Sequence, residues 1–87
     1  MNDFTFTGQG FSDYLYWQRQ DKKTLKKINA LLADIQRNGV MWGTGKPESL
    51  KHRPGYSRRI DEQNRLVYDI DELQNIVIIS CRGHYED

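Results

Sequence analysis

Three observations predict a small α+β domain. Eighty-seven residues suffice for one compact unit spanning 1–87 and not for two, because so short a chain buries only about 60 to 65% of its unfolded surface. The first half holds two segments with apolar residues at helical spacing, and the second half holds three runs that read as strands, separated by turn residues. Hydrophobic residues at 37%, charged residues of both signs at 29% and aromatics at 11% are enough for a small core and exclude disorder by composition.

Phe4 and Phe6 alternate with Asp3, Thr5 and Thr7, the period of a strand with one buried face, and Gly8-Gln9-Gly10 breaks it. From Phe11 to about Gln18, the positions of Phe11, Tyr14, Leu15 and Trp17 predict a first helix. Asp21 caps a second, in which Leu25, Ile28, Leu32 and Ile35 recur at three- and four-residue steps, and Asn38-Gly39 ends it. Val40 to Gly55 holds three of the seven glycines and both prolines without a sustained period, so it reads as loop, the kind of segment that carries sites. Tyr56 to Ile60, Arg65 to Ile70 and Ile76 to Cys81 read as strands.

A three-residue loop, Glu62-Gln63-Asn64, would oppose Asp61 to Arg65, with Asn64 in the left-handed position. That register puts Ile60, Leu66, Tyr68 and Ile70 on a face toward the helices, and Arg59, Asp61, Arg65 and Val67 on an open face. The last strand is apolar at successive positions, which predicts a central place in the sheet, and it ends in Arg82-Gly83-His84-Tyr85.

The net charge of +1 conceals an asymmetry: Lys46 to Arg65 carries six basic and three acidic residues, Leu66 to Asp87 one basic and five acidic. The mid-chain excess is placed to face a phosphate backbone. One cysteine, Cys81, excludes an internal disulfide, and two histidines far apart provide no zinc-ligand spacing, so neither a metal nor another cofactor is implied. No apolar run nears the roughly 20 residues that span a bilayer, and Met1-Asn2-Asp3 lacks the basic start of a signal peptide. The expected location is the cytoplasm, without a membrane partner.

Glu48, Lys51, Arg59, Arg65, His84 and Tyr85 form an acid-base set with cations. Cleaving RNA without metal needs a base for the 2′-hydroxyl proton, cations for the pentavalent phosphorane and an acid for the departing 5′-oxygen. A glutamate is a weak base at its reference pKa of about 4.3, which burial raises, and a histidine near 6.5 donates or accepts at neutral pH. Arginines stay charged and present planar donors that match phosphate oxygens. Taken singly, each residue also has a plain structural explanation. Glu48 beside a proline is a solvated loop residue; Lys51, Arg58 and Arg59 are a wet strand edge; Arg65 pairs with Asp61 across the hairpin; and His84 lies where chains fray. Trp17 and Tyr14 read as core, His52 as a surface residue and Cys81 as a small buried hydrophobe.

Asp13-Tyr14-Leu15-Tyr16-Trp17-Gln18, Lys26-Lys27-Ile28-Asn29, Gly45-Lys46-Pro47-Glu48, Leu50-Lys51-His52, Ser57-Arg58-Arg59-Ile60, Arg65-Leu66-Val67-Tyr68 and Cys81-Arg82-Gly83-His84-Tyr85 run in order along the chain. In these motifs the chain resembles the YoeB toxins of bacterial toxin-antitoxin modules, within the RelE/ParE superfamily. The resemblance implies a RelE-like α+β fold, a mainly antiparallel sheet with two helices packed on one face. It implies an endoribonuclease that cuts mRNA in the ribosomal A site, inhibits translation and is neutralised by a YefM-type antitoxin, and it admits a homodimer. It also implies roles: Glu48 as general base, His84 as general acid, Arg65 as the phosphate-stabilising arginine, and Lys51, Arg59 and Tyr85 as residues that bind or orient RNA. Two other readings stay open, a ParE-like inhibitor that cuts no RNA and a non-catalytic RNA-binding module.

Overall fold

The computed structural model describes residues 3–84. In chain order these form β1 (Phe4–Phe6), α1 (Gly8–Gln20), α2 (Lys22–Asn38), β2 (Glu48–Ser49), β3 (Tyr56–Arg59), β4 (Arg65–Ile70) and β5 (Ile76–Ser80). The strands make one sheet in the order β1-β5-β4-β3-β2; β1 is parallel to β5 and every other pair is antiparallel. The expected α+β class, with both helices against a mostly antiparallel sheet, is the fold observed.

The first helix begins three residues earlier than its apolar pattern indicates, so Gly8-Gln9-Gly10 is helical and not a break. Thr7 caps it: the hydroxyl oxygen accepts from the Gly10 amide at 3.0 Å and its proton goes to the Ile79 carbonyl at 2.9 Å. Gly10 is needed for close approach, since a Cβ there would overlap the carbonyl oxygen of Ile78. Glycine thus seats α1 directly on β5. Asp21 ends α1 and starts α2: its amide donates to the Trp17 carbonyl, and its carboxylate accepts from the amides of Lys23 and Thr24. Gly39, at φ 92°, closes α2 where Asn38-Gly39 predicts.

Trp17 from α1 and Ile28, Leu31, Leu32 and Ile35 from α2 pack on Leu66 and Tyr68 of β4 and Ile76 and Ile78 of β5, with Ile60 and Cys81 at the margins. Burying each large aliphatic side chain contributes about 1.5–3 kcal/mol. That face is the one the alternation in β4 predicts. The last strand is interior, between β1 and β4, but β4 holds the centre of the sheet; Val77 and Ile79 stay half-buried because only one face of β5 carries the helices.

The hairpin register differs from expectation. The β3–β4 ladder closes with Arg59 opposite Arg65, leaving a five-residue turn from Ile60 to Asn64 instead of a three-residue loop. The Asp61 carboxylate explains the wider turn, since one oxygen accepts from the amides of both Gln63 and Asn64 at 2.8 Å. Three- and five-residue turns have the same parity, so the assignment of residues to faces is unchanged. Asn64 does not adopt the left-handed conformation expected of it; among the described non-glycine residues positive φ occurs at Lys46, 53°, and at Gln74 in the β4–β5 turn, 66°.

Candidate active site

The stretch Val40 to Gly55, read as loop, contains a two-residue edge strand that places Glu48 opposite Ser57 of β3. Ser57 in turn lies opposite Val67 of β4, two positions from Arg65. Directly opposed residues point to the same side of a sheet. Glu48, Ser57 and Arg65 therefore share the face turned away from the helices. The Arg65 guanidinium donates through Nη2 to Ser57 Oγ at 3.1 Å and to Glu48 Oε2 at 3.4 Å. A surface pocket of about 250 Å³ opens here, lined by Glu48, Ser49, Leu50, Lys51, Ser57, Arg65 and His84.

The approach to Glu48 is fixed from behind by Arg58, which is fully buried and not the wet strand-edge residue its sequence suggests. Its Nε donates to the Tyr68 hydroxyl at 2.9 Å, and Nη1 donates to Asp34 Oδ2 at 2.5 Å and the Thr44 carbonyl at 2.9 Å. Nη2 donates to the carbonyls of Gly39 and Trp42 at 2.8 and 2.6 Å. One side chain thus satisfies three carbonyls of the segment that leads from α2 to β2. Asp34 completes the arrangement by accepting from the Asn38 side chain and the Thr44 amide. The bond from Arg58, ahead of those from Thr44 and Asn38, holds the Asp34 carboxyl below its usual range despite burial.

His84 is brought to the pocket by a segment held at two places. Cys81 is clasped by α1: its amide donates to Asp13 Oδ2 at 3.0 Å, and its carbonyl accepts from Trp17 Nε1 at 2.8 Å. Two residues on, the Gly83 amide donates to Asn64 Oδ1 at 2.8 Å and its carbonyl accepts from the Arg65 amide at 3.0 Å. Between them, the Arg82 guanidinium stacks over the Tyr16 ring at 3.6 Å.

Four of the sequence-derived candidates, Glu48, Lys51, Arg65 and His84, line this one pocket. Arg59 faces Arg65 across the ladder, yet it lines a separate cavity of about 300 Å³ with Lys27, Leu31 and Lys46. Tyr85 lies outside the described residues. The expected Arg65–Asp61 pair does not form; Arg65 turns to Glu48 and Ser57, while Asp61 holds its own turn. In the sequence Ser57 and Asn64 stand out as a motif member and a turn residue, not as neighbours of the site. Only the alternation with Arg59 along β3 could have marked Ser57; nothing local marked Asn64.

Chemically, the pocket offers a carboxylate, a guanidinium and an imidazole. The Glu48 side chain is 66% exposed and that of Arg65 19%. An ion pair so open contributes about 0–1 kcal/mol, so a phosphodiester can displace the carboxylate from Arg65 at little cost.

A family model described as the YoeB-like toxin of bacterial type II toxin-antitoxin systems matches residues 6–85. The curated Toxin YoeB of Streptomyces coelicolor is 49% identical over 83 residues, covering 93% of this chain and 96% of its own length. Among solved structures, a YoeB-YefM complex from Staphylococcus aureus superposes with a TM-score of 0.88 at 49% identity, covering 98% of this chain and 99% of that one. A YoeB dimer from the same organism gives 0.88 at 51% identity, covering 97% and 98%.

Proposed function

The chain belongs to the YoeB family of type II toxin-antitoxin toxins, and from that premise we propose that it is a ribosome-dependent, metal-independent mRNA endoribonuclease that cuts in the A site and blocks translation. The observation that carries this reading is the convergence of Glu48, Arg65 and His84 on one surface pocket. Glu48 takes the proton from the 2′-hydroxyl, whose oxygen attacks the adjacent phosphorus. Arg65 donates to the non-bridging oxygens as their charge grows, where aimed donors act most strongly. His84 gives a proton to the departing 5′-oxygen, leaving a 2′,3′-cyclic phosphate and a 5′-hydroxyl. Lys51, on the pocket wall, and Arg59 and Tyr85 hold or orient the RNA.

The working partners in this reading are the ribosome, its mRNA and a YefM-type antitoxin, and the setting is the cytoplasm; no helix among the described residues is long and apolar enough to cross a membrane. Relatives solved as a YefM complex and as a dimer support an antitoxin and a second copy as protein partners. An antitoxin segment with carboxylates would compete with RNA phosphate for Lys51 and Arg65.

The deciding experiment is end-group analysis of a ribosome-bound message cut by the wild type, Glu48→Ala and His84→Ala. The expected products carry a 5′-hydroxyl, and each variant loses about 10² to 10⁴ in rate while keeping its fold. Products with a 5′-phosphate would rule the mechanism out. Growth inhibition undiminished by His84→Ala would favour the inhibitor that cuts no RNA.

A further inference from the structure

The β4–β5 ladder ends at Val67 opposite Ser80. From Cys81 onward the chain is no longer in a strand, yet its last described residues carry the imidazole of the pocket. Of the two places that hold this segment, the clasp on Cys81 is buried and belongs to the core, with Trp17 and Cys81 both part of it. The hold on Gly83 is exposed. It lies immediately before His84 and immediately beside Arg65, and it consists of two bonds to a single residue, one from the Arg65 backbone and one to the Asn64 side chain.

We propose that Asn64 is a positioning residue: its side-chain oxygen fixes Gly83, and through it sets the His84 imidazole relative to the Arg65 guanidinium. The proposal rests on the reading of His84 as the acid, and deepens it. The amide of Asn64 is itself oriented, because its Nδ2 donates to both Asp61 carboxylate oxygens at 3.1 Å, which leaves Oδ1 turned to the Gly83 amide. Asp61 is in turn held by the amides of Gln63 and Asn64. The chain of bonds runs from turn backbone to Asp61, to Asn64, to Gly83. Gly83 stands at φ 87°, a conformation that glycine adopts without strain, so the backbone can bend there to meet the bond. Without it the described residues beyond Cys81 keep the Arg82 stack on Tyr16, which lies ahead of Gly83, and the single backbone bond from Arg65, and an exposed segment tied so loosely next to the imidazole frays. An acid displaced by an ångström costs on the order of 10²-fold in rate while substrate binding, made elsewhere, is untouched.

The test measures single-turnover cleavage of a ribosome-bound message by the wild type, His84→Ala, Asn64→Ala and the swap Asp61→Asn/Asn64→Asp, together with amide hydrogen exchange at Gly83 and Cys81. In the swap the new amide at position 61 accepts the two turn amides and donates to the new carboxylate at 64, which still accepts from Gly83. Asn64→Ala is expected to lower kcat about 10- to 100-fold with KM unchanged, and to lose protection at Gly83 but not at Cys81; the swap is expected to restore both. A kcat for Asn64→Ala equal to wild type, in an assay where His84→Ala is inactive, overturns the proposal and leaves the acid role of His84 standing. Equal kcat for the wild type and His84→Ala overturns that role and the proposal with it.

Discussion

Arg58 Nη1 lies 2.5 Å from Asp34 Oδ2, joining β3 to α2 through a guanidinium with no exposed surface. The pair is also the hub of the segment that delivers Glu48, because three further donors of Arg58 take the carbonyls of Gly39, Trp42 and Thr44, while Nε holds the Tyr68 hydroxyl. A buried charge left alone is far more costly than a buried pair is stabilising. Replacing Arg58 with Met should therefore destabilise the protein by about 3–5 kcal/mol in urea unfolding. Asp34→Ala combined with Arg58→Met should cost less than the two single changes added together; simple additivity would show that the two side chains act independently.

The same pair makes stability depend on acid. Asp34 holds its proton more weakly in the folded protein than in the unfolded chain, because Arg58, Thr44 and Asn38 all favour the carboxylate. Its contribution is complete above the ordinary value of 3.8 and is lost as pH falls through the lower folded value. Urea midpoints measured down the acid range should fall more steeply for the wild type than for Asp34→Asn. Parallel curves would assign the acid loss to other carboxylates.

Two glycines in the first turn of α1 should respond in opposite directions. Alanine at Gly8 meets nothing within 4 Å and should stabilise the helix by about 0.5–1 kcal/mol. Alanine at Gly10 drives a methyl into the Ile78 carbonyl, and should cost about 1–3 kcal/mol by pushing α1 off β5. Thermal unfolding of the two variants checks the contrast; a gain at both positions would mean that α1 does not sit against β5 as described.

Cys81 is fully buried, and burial first, with the nearby Asp13 carboxylate second, pushes its thiol up to about 12. The thiolate is the reactive form, so a thiol reagent at about pH 8 should label the native protein only as fast as it unfolds. Labelling rates compared with and without urea test this, and rapid labelling without urea would place the thiol at the surface.

What the sequence made legible was local. The apolar spacing from Leu25 to Ile35 and the cap at Asp21 specify α2 without reference to any other element, and β4 runs over the residues its alternation predicts. Apart from the turn that Asp61 widens, the misreadings have non-local causes or too short a signal. Arg58 looks like a strand-edge cation until Asp34, 24 residues away, and three loop carbonyls are seen around it. Gly10 looks like a helix breaker until β5 is laid against it. A two-residue strand such as β2 has no period to detect. The candidate site divides in the same way. Residue chemistry and the ordered motifs singled out Glu48, Lys51, Arg65 and His84, but that they line one pocket depends on strand pairing and on the holds at Cys81 and Gly83. Asn64 reads only as a turn residue because its partner Gly83 lies 19 residues downstream.

Because β1 pairs only with β5 among the described residues, and Asp13 and Trp17 reach forward 68 and 64 residues to grip Cys81, the fold is shut by its first strand and helix meeting its last strand. A copy truncated before β5 by a premature stop leaves β1 without a neighbour, α1 without its seat and the pocket without its imidazole, all in one step. Newly made chain should therefore gain its pocket only once β5 and the segment from Cys81 to His84 have been synthesised, and fragments released earlier should be degraded as unfolded chains instead of acting as weakened poisons.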